Sequence, residues 1–98
     1  MTRDELIDSL KRQRPLFDRE KVASVSLFGS RARQSARADS DVDLLVGYAP
    51  GAPVSLIDLV RLEAQLSNAL ALNVQVVTAP IERERLRRNI EADRINVF

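Results

Sequence analysis

The sequence predicts a mixed α/β (α+β) domain, and three observations carry that reading. Apolar residues recur at helical spacing in some stretches and at strand spacing in others. The two kinds of stretch alternate, giving the order α-β-α-β-α-β-α with no repeat, linker or low-complexity segment. Ninety-eight residues, 45% of them hydrophobic, suffice for one modest core, so residues 1–98 are read as a single domain.

Each element has a local reason. Thr2 with Glu5 three residues on has the form of a capping box, and Leu6, Ile7 and Leu10 follow at helical spacing until Pro15 suggests an end. Ala23, Val25 and Leu27 alternate with Ser24 and Ser26, the period of a half-buried strand running into a Gly29-Ser30 turn. Ser30 to Ala36 is expected to form a short helix with Ser30 at its N-terminus. The polar loop Arg37 to Ser40 leads to a second strand, Asp41 to Val46. Val42, Leu44 and Val46 lie on one of its faces, Asp41 and Asp43 on the other.

Tyr48 to Val54 reads as a loop from its Pro and Gly content. Ser55, with Asp58 at the third helical position, opens a long helix whose stripe is Leu59, Leu62, Leu66 and Leu70. Asn73 is expected to close that helix. Val74 to Thr78 forms a third strand, with Val74 and Val76 pointing one way and Gln75 and Val77 the other. Pro80 suits the first turn of a charged helix over Ile81 to about Asp93, with Leu86 and Ile90 inward and Glu84 paired to Arg88. Ile95 to Phe98 is an apolar tail, read as a short edge strand, with contact to another chain the lesser reading. About a dozen residues join the first two strands, so they are expected to pair antiparallel within a mixed sheet.

Composition narrows the chemistry. The absence of Cys excludes disulfides, thiolate metal sites and cysteine nucleophiles, and the absence of His excludes imidazole general bases and His-ligated zinc. What remains is carboxylates, hydroxyls, amides, Arg and a hard cation bound through oxygen. Fifteen Lys+Arg against 14 Asp+Glu leave a net charge of +1, which does not suit an electrostatic nucleic-acid binder. The charged N-terminal stretch lacks an apolar signal core, and the uncharged run Val46–Ile57 is broken by Pro and Gly. A soluble cytoplasmic protein without membrane contact is expected.

The stretch from Phe28 to Val46 carries the chemistry. Gly29 has no Cβ, so backbone can approach a ligand closely, and Ser30 adds a hydroxyl beside exposed N–H groups that favour phosphate. Ten residues after Ser30, Asp41 and Asp43 share a strand face, roughly 6.5–7 Å apart along the chain. Such a doubly charged face on an aliphatic strand needs a cation to neutralise it. Mg²⁺ suits the ligand set, because it accepts oxygen ligands and keeps waters and substrate phosphates in its shell. Taken singly, Gly-Ser is an ordinary turn and the Asp pair a solvated edge; their combination at this spacing is far more specific.

Gly29-Ser30, ten residues, then Asp41-x-Asp43 resembles the signature of minimal nucleotidyltransferases of the DNA polymerase β superfamily. GSRAR and DSDVDLLV resemble in particular the MNT antitoxins that accompany HEPN ribonuclease toxins. The resemblance covers nearly the whole chain. It implies the nucleotidyltransferase fold, a mixed β-sheet flanked by helices, and transfer of a nucleoside monophosphate, usually AMP from ATP, to a hydroxyl. In MNT antitoxins the acceptor is a tyrosine of the toxin, so a HEPN-family partner and a hetero-oligomer are implied, with no direct nucleic-acid binding. Two Mg²⁺ ions at Asp41 and Asp43 are implied with nucleotide bound, and Gly29, Ser30 and Arg31 are carried over as nucleotide-binding residues, with Arg33 a weaker candidate.

The sequence departs from the family at one position. A third carboxylate is usual in a pattern like Val-Asp-Leu-Val on the strand after the long helix, and the matching residue here is Gln75. An amide offers a metal only its carbonyl oxygen and no charge. Asp39, Glu82 and Glu84 are the candidates to replace the missing charge. The alternative reading is a catalytically degenerate member that still binds nucleotide and acts as an antitoxin by binding alone.

Overall fold

Two capping boxes begin the helices that frame the sheet. In the computed structural model, which describes residues 1–98, the Thr2 hydroxyl accepts from the Glu5 N–H and the Glu5 carboxylate accepts from the Thr2 N–H, both at 3.1 Å. Helix α1 (Arg3–Arg12) buries Leu6 and Leu10, and a separate short helix α2 (Arg14–Arg19) has Pro15 in its first turn. Helix α3 (Leu56–Leu70) starts on the reciprocal bonds of Ser55 and Asp58 and buries Leu62, Leu66 and Leu70. Arg61 on α3 reaches Glu20 just past α2 through two 2.8 Å bonds, which hold the Glu20 carboxyl below its usual range.

Four strands form one mixed sheet in the order β3-β2-β1-β4: β1 (Val22–Phe28), β2 (Val42–Tyr48), β3 (Val74–Thr78) and β4 (Ile95–Asn96). β1 pairs antiparallel with β2 and β4, whereas β2 and β3 run parallel, joined through α3. Leu6, Leu10, Phe17, Leu62 and Leu66 from the helices meet Val25, Leu27, Val42, Leu44, Val46 and Val76 in one core. Residues of opposite parity on β2, Asp43 and Leu45, therefore face away from that core. This is the mixed α+β architecture expected from the sequence.

Four expectations are corrected. Residues 30–34 form turns and 35–36 no regular structure, in place of a helix: Gln34 has φ +62°, and the Arg31 guanidinium donates to the carbonyls of Ala38 and Ser40. A register shift between Val22 and Ser24 turns Val22 inward and leaves Ala23 exposed. Ala71, with φ +56°, closes α3 two residues before Asn73. The last helix, α4 (Glu84–Asp93), begins after an extended Arg83, so Pro80 (preceded by a cis peptide) lies in the bend before it.

The C-terminal tail packs against the core. Val97 is buried, and the Phe98 ring packs edge-on to Phe17 at 5.4 Å with the Arg14 guanidinium 4.0 Å above it. Phe98→Ala is accordingly expected to cost about 2 kcal/mol and lower the melting temperature by roughly 10 °C, read by calorimetry. A melting temperature equal to wild type would show the tail to be unimportant. The exposed large apolar residues lie elsewhere, chiefly at the start of α3: Val54, Leu56, Ile57 and Val60. No helix is long and apolar enough to cross a membrane.

Candidate active site

The sheet register assembles the acidic site. Asp43 on β2 stands between Phe28 at the end of β1 and Gln75 on β3, so the three side chains share the face turned from the core. Asp41 precedes β2 by one residue. Its Oδ2 accepts from Gln75 Nε2 at 3.1 Å and its Oδ1 accepts from Asn73 Nδ2 at 3.0 Å. Asn73 is itself fixed, because its carbonyl accepts the Val42 N–H at 2.8 Å. Two amides thus orient one carboxylate of the pair.

Asp43 is held differently. Half-buried and without a hydrogen-bonded partner for its carboxylate, it has its pKa raised by burial first and by the charge of Asp41 second, with Arg33 opposing. Its Oδ2 lies over Gly29. A Cβ on Gly29 would fall 2.5 Å from that oxygen, and Gly29 also has φ +78°. The glycine therefore makes room for the carboxylate as well as for a ligand. Ser30 follows, with its carbonyl bound by the Ser35 N–H at 3.0 Å and its hydroxyl at liberty. Because residues 30–36 are not helical, a phosphate there meets turn N–H groups and no helix dipole.

The other expected residues part company. Arg31 is buried and donates to Ser40 O at 2.8 and 3.1 Å and to Ala38 O at 3.3 Å, fixing the loop that leads into Asp41. It lines a cavity of about 540 Å³ between the start of α1 and the loop at 34–38, whose lining does not include Asp41 or Asp43. The acidic pair at the start of β2 therefore lies outside that cavity. Arg33 is half exposed and donates to Asp93 at 2.7 Å. Glu84 bonds Arg88 at 3.0 Å, and no third acidic side chain joins Asp41 and Asp43 in a cluster able to hold a metal. Asn73, which donates to Asp41, is a neighbour of the acidic pair that the sequence did not point to.

The donor set fits one Mg²⁺ ion. Two carboxylates lie near each other at the start of β2, one of them unpartnered beside a glycine cradle, and Mg²⁺ binds through one or two carboxylates with waters and phosphates filling its shell. At the third position Gln75 has only a carbonyl oxygen to give, after its amide releases Asp41.

Comparison with known proteins agrees with this fold. The family model described as "Polymerase beta, Nucleotidyltransferase" matches residues 11–98. The chain is 35% identical over 88 residues to "Putative protein adenylyltransferase MJ1217" of Methanocaldococcus jannaschii, covering 89% of this chain and 88% of that one. A solved structure described as a "putative minimal nucleotidyltransferase" superposes with a TM-score of 0.77 at 34% identity, covering 97% of this chain and 95% of the other. An MNT antitoxin in complex with the tri-AMPylated HEPN toxin of Shewanella oneidensis shares the fold, with a TM-score of 0.62 at 20% identity over 98% of this chain and 68% of its own. The chain belongs to the polymerase β nucleotidyltransferase family.

Proposed function

We propose that this protein transfers AMP from ATP to a hydroxyl of a partner protein, and that the partner is a HEPN-type toxin. The observation that carries the reading is the Asp41/Asp43 pair at the start of β2, with Asp43 against the Gly29 turn, which supports a place for a triphosphate and its cation. Family membership supports nucleotidyl transfer, the name of the archaeal relative supports AMP and a protein acceptor, and the Shewanella complex supports the toxin.

The acceptor oxygen attacks the α-phosphorus of ATP, the bond to the oxygen bridging the β-phosphate breaks, and pyrophosphate leaves with that electron pair. The hydroxyl proton passes to water. Asp41 and Asp43 would hold Mg²⁺, which when bound would supply charge neutralisation of the triphosphate and polarisation of the acceptor hydroxyl. Two ions are proposed when nucleotide is bound, since the triphosphate brings oxygen ligands of its own. Gly29 and Ser30 receive the β- and γ-phosphates, while Asn73 and Gln75 hold Asp41 in orientation before the cation arrives. Arg31 acts at one remove, by fixing the loop ahead of Asp41.

Intact-mass analysis of the toxin after incubation with ATP, Mg²⁺ and this protein should show one or more added AMP units. An unmodified toxin that is nonetheless neutralised would support the second reading, binding alone, which Gln75 favours. Gln75→Asp tests the same point from the other side. It removes a donor from Asp41 and adds like charge, so it should lower the melting temperature without metal and tighten Mg²⁺ binding about tenfold by calorimetry. Unchanged Mg²⁺ affinity would contradict a role for position 75 in holding the ion.

A further inference from the structure

The cavity of about 540 Å³ between the start of α1 and the loop at 34–38 has no part in the reaction proposed above. Its volume is that of a small-molecule site. Gly29, Ser30, Asp41 and Asp43 are all absent from its wall. Leu6, Ala36 and Leu72 give that wall apolar surface, and its charged side chains are Arg3, Arg31 and Arg37 against one carboxylate, Asp4. Three positive charges less one negative leave two uncompensated.

Arg31 is the residue that points to a ligand. It is only 6% exposed, and its Nε and Nη2 are engaged on the carbonyls of Ala38 and Ser40. Its Nη1 has no partner. Nor is that nitrogen sealed off, because the sealed side-chain atoms without a partner are Tyr48 Oη and Gln65 Oε1. Nη1 therefore opens on the cavity that Arg31 lines. A guanidinium nitrogen so deeply placed and without an acceptor fits an anion beside it.

Two further groups of donors border the same space. In the first turn of α1 the Glu5 N–H is taken by the Thr2 hydroxyl, while the N–H groups of Arg3 and Asp4 remain unpaired. Arg37 is tied through its backbone N–H to Ser40 Oγ at 2.8 Å, and its exposed guanidinium has no partner. Arg3 differs, since it already donates to the Ala32 carbonyl at 3.2 Å and lies 4.0 Å from Asp4.

We propose that this cavity is a second ligand site, separate from the acidic pair, for a phosphate monoester of a small organic molecule. A carboxylate would balance only one of the two spare charges. A phosphate monoester carries about −1.5 to −2 at neutral pH and offers three oxygens to Arg31 Nη1, Arg37 and the α1 N–H groups. Inorganic phosphate would leave the apolar wall at Leu6 and Leu72 uncovered, so the organic group is part of the fit. Because Arg31 also holds the loop that enters Asp41, an occupant ties that loop to α1.

Phenyl phosphate is the probe, titrated calorimetrically against the full chain in a chelator so that no metal occupies the acidic pair. It should bind at one equivalent, with inorganic phosphate and benzoate each about tenfold weaker. Arg37→Glu should weaken it by about tenfold or more at an unchanged melting temperature, since the Arg37 side chain has no partner to lose. Asp43→Asn should bind it as wild type does. Amide NMR shifts on titration should gather at Thr2, Ala36, Ala38 and Leu72. No binding at millimolar phenyl phosphate, wild-type affinity in Arg37→Glu, or shifts gathered at Asp43 and Gln75 would overturn the site. Benzoate binding as tightly as phenyl phosphate would overturn its assignment to a phosphate monoester.

Discussion

Gly29→Ala is expected to abolish nucleotide transfer and to destabilise the fold by about 2 kcal/mol. The two effects have different origins. An L-residue at φ +78° is strained whatever surrounds it, and this accounts for most of the lost stability. The new methyl would also lie 2.5 Å from Asp43 Oδ2, so the carboxylate must leave its place beside the turn. Displacing a reacting group by about 1 Å can cost roughly a hundredfold in rate, and here the phosphate cradle moves as well. Thermal melting reads the first effect and label transfer from ATP the second. A variant that melts lower yet transfers at the wild-type rate would show that the glycine serves the turn alone.

Asp43→Asn should reduce transfer by a factor on the order of a thousand and yet stabilise the metal-free protein. Burial and the nearby Asp41 raise the pKa of Asp43, so the folded state holds its proton more tightly than the unfolded chain does. The stability associated with that group is fully present below the ordinary carboxylate pKa and is lost as pH rises through the elevated folded value. At neutral pH the ionised carboxylate is therefore a burden on the metal-free fold, which the neutral amide removes. Melting in a chelator from pH 4 to 7 should show the wild type losing stability relative to the variant as pH rises. A variant less stable than wild type at pH 7 would contradict this account. Added Mg²⁺ should narrow the difference, because a cation bound to the ionised form stabilises the wild type alone.

The same opposition between stability and function explains which parts were legible in the sequence. Local chemistry was. Thr2 with Glu5 and Ser55 with Asp58 form the capping boxes their spacing suggests, and the α3 stripe is buried at Leu62, Leu66 and Leu70. Asp41, Asp43 and Gly29 were legible because an acidic face on an aliphatic strand and a glycine at a turn are departures from what packing alone requires.

Features decided by contacts between distant residues were not legible. Arg31 has the look of a phosphate clamp in GSRAR, but the carbonyls of Ala38 and Ser40 claim it and replace the expected helix with turns. That the tail packs inward shows only once Phe17 and Arg14 are seen against Phe98. Asn73 becomes a site residue only once the parallel register brings it opposite Asp41, and nothing near Asp93 in sequence announces Arg33. The missing third carboxylate was legible at Gln75; that its amide already holds Asp41 was not.

The central claim is that Asp41 and Asp43 direct transfer of a nucleoside monophosphate to a protein hydroxyl. The direct measurement is incubation of this protein with a HEPN-type toxin, Mg²⁺ and ATP labelled at either the α- or the γ-phosphate, for wild type and Asp41→Asn. The account predicts that α-label alone passes to the toxin, in the wild type alone. Neutralisation of the toxin by Asp41→Asn as effective as by wild type, with no α-label transferred by either, would contradict it.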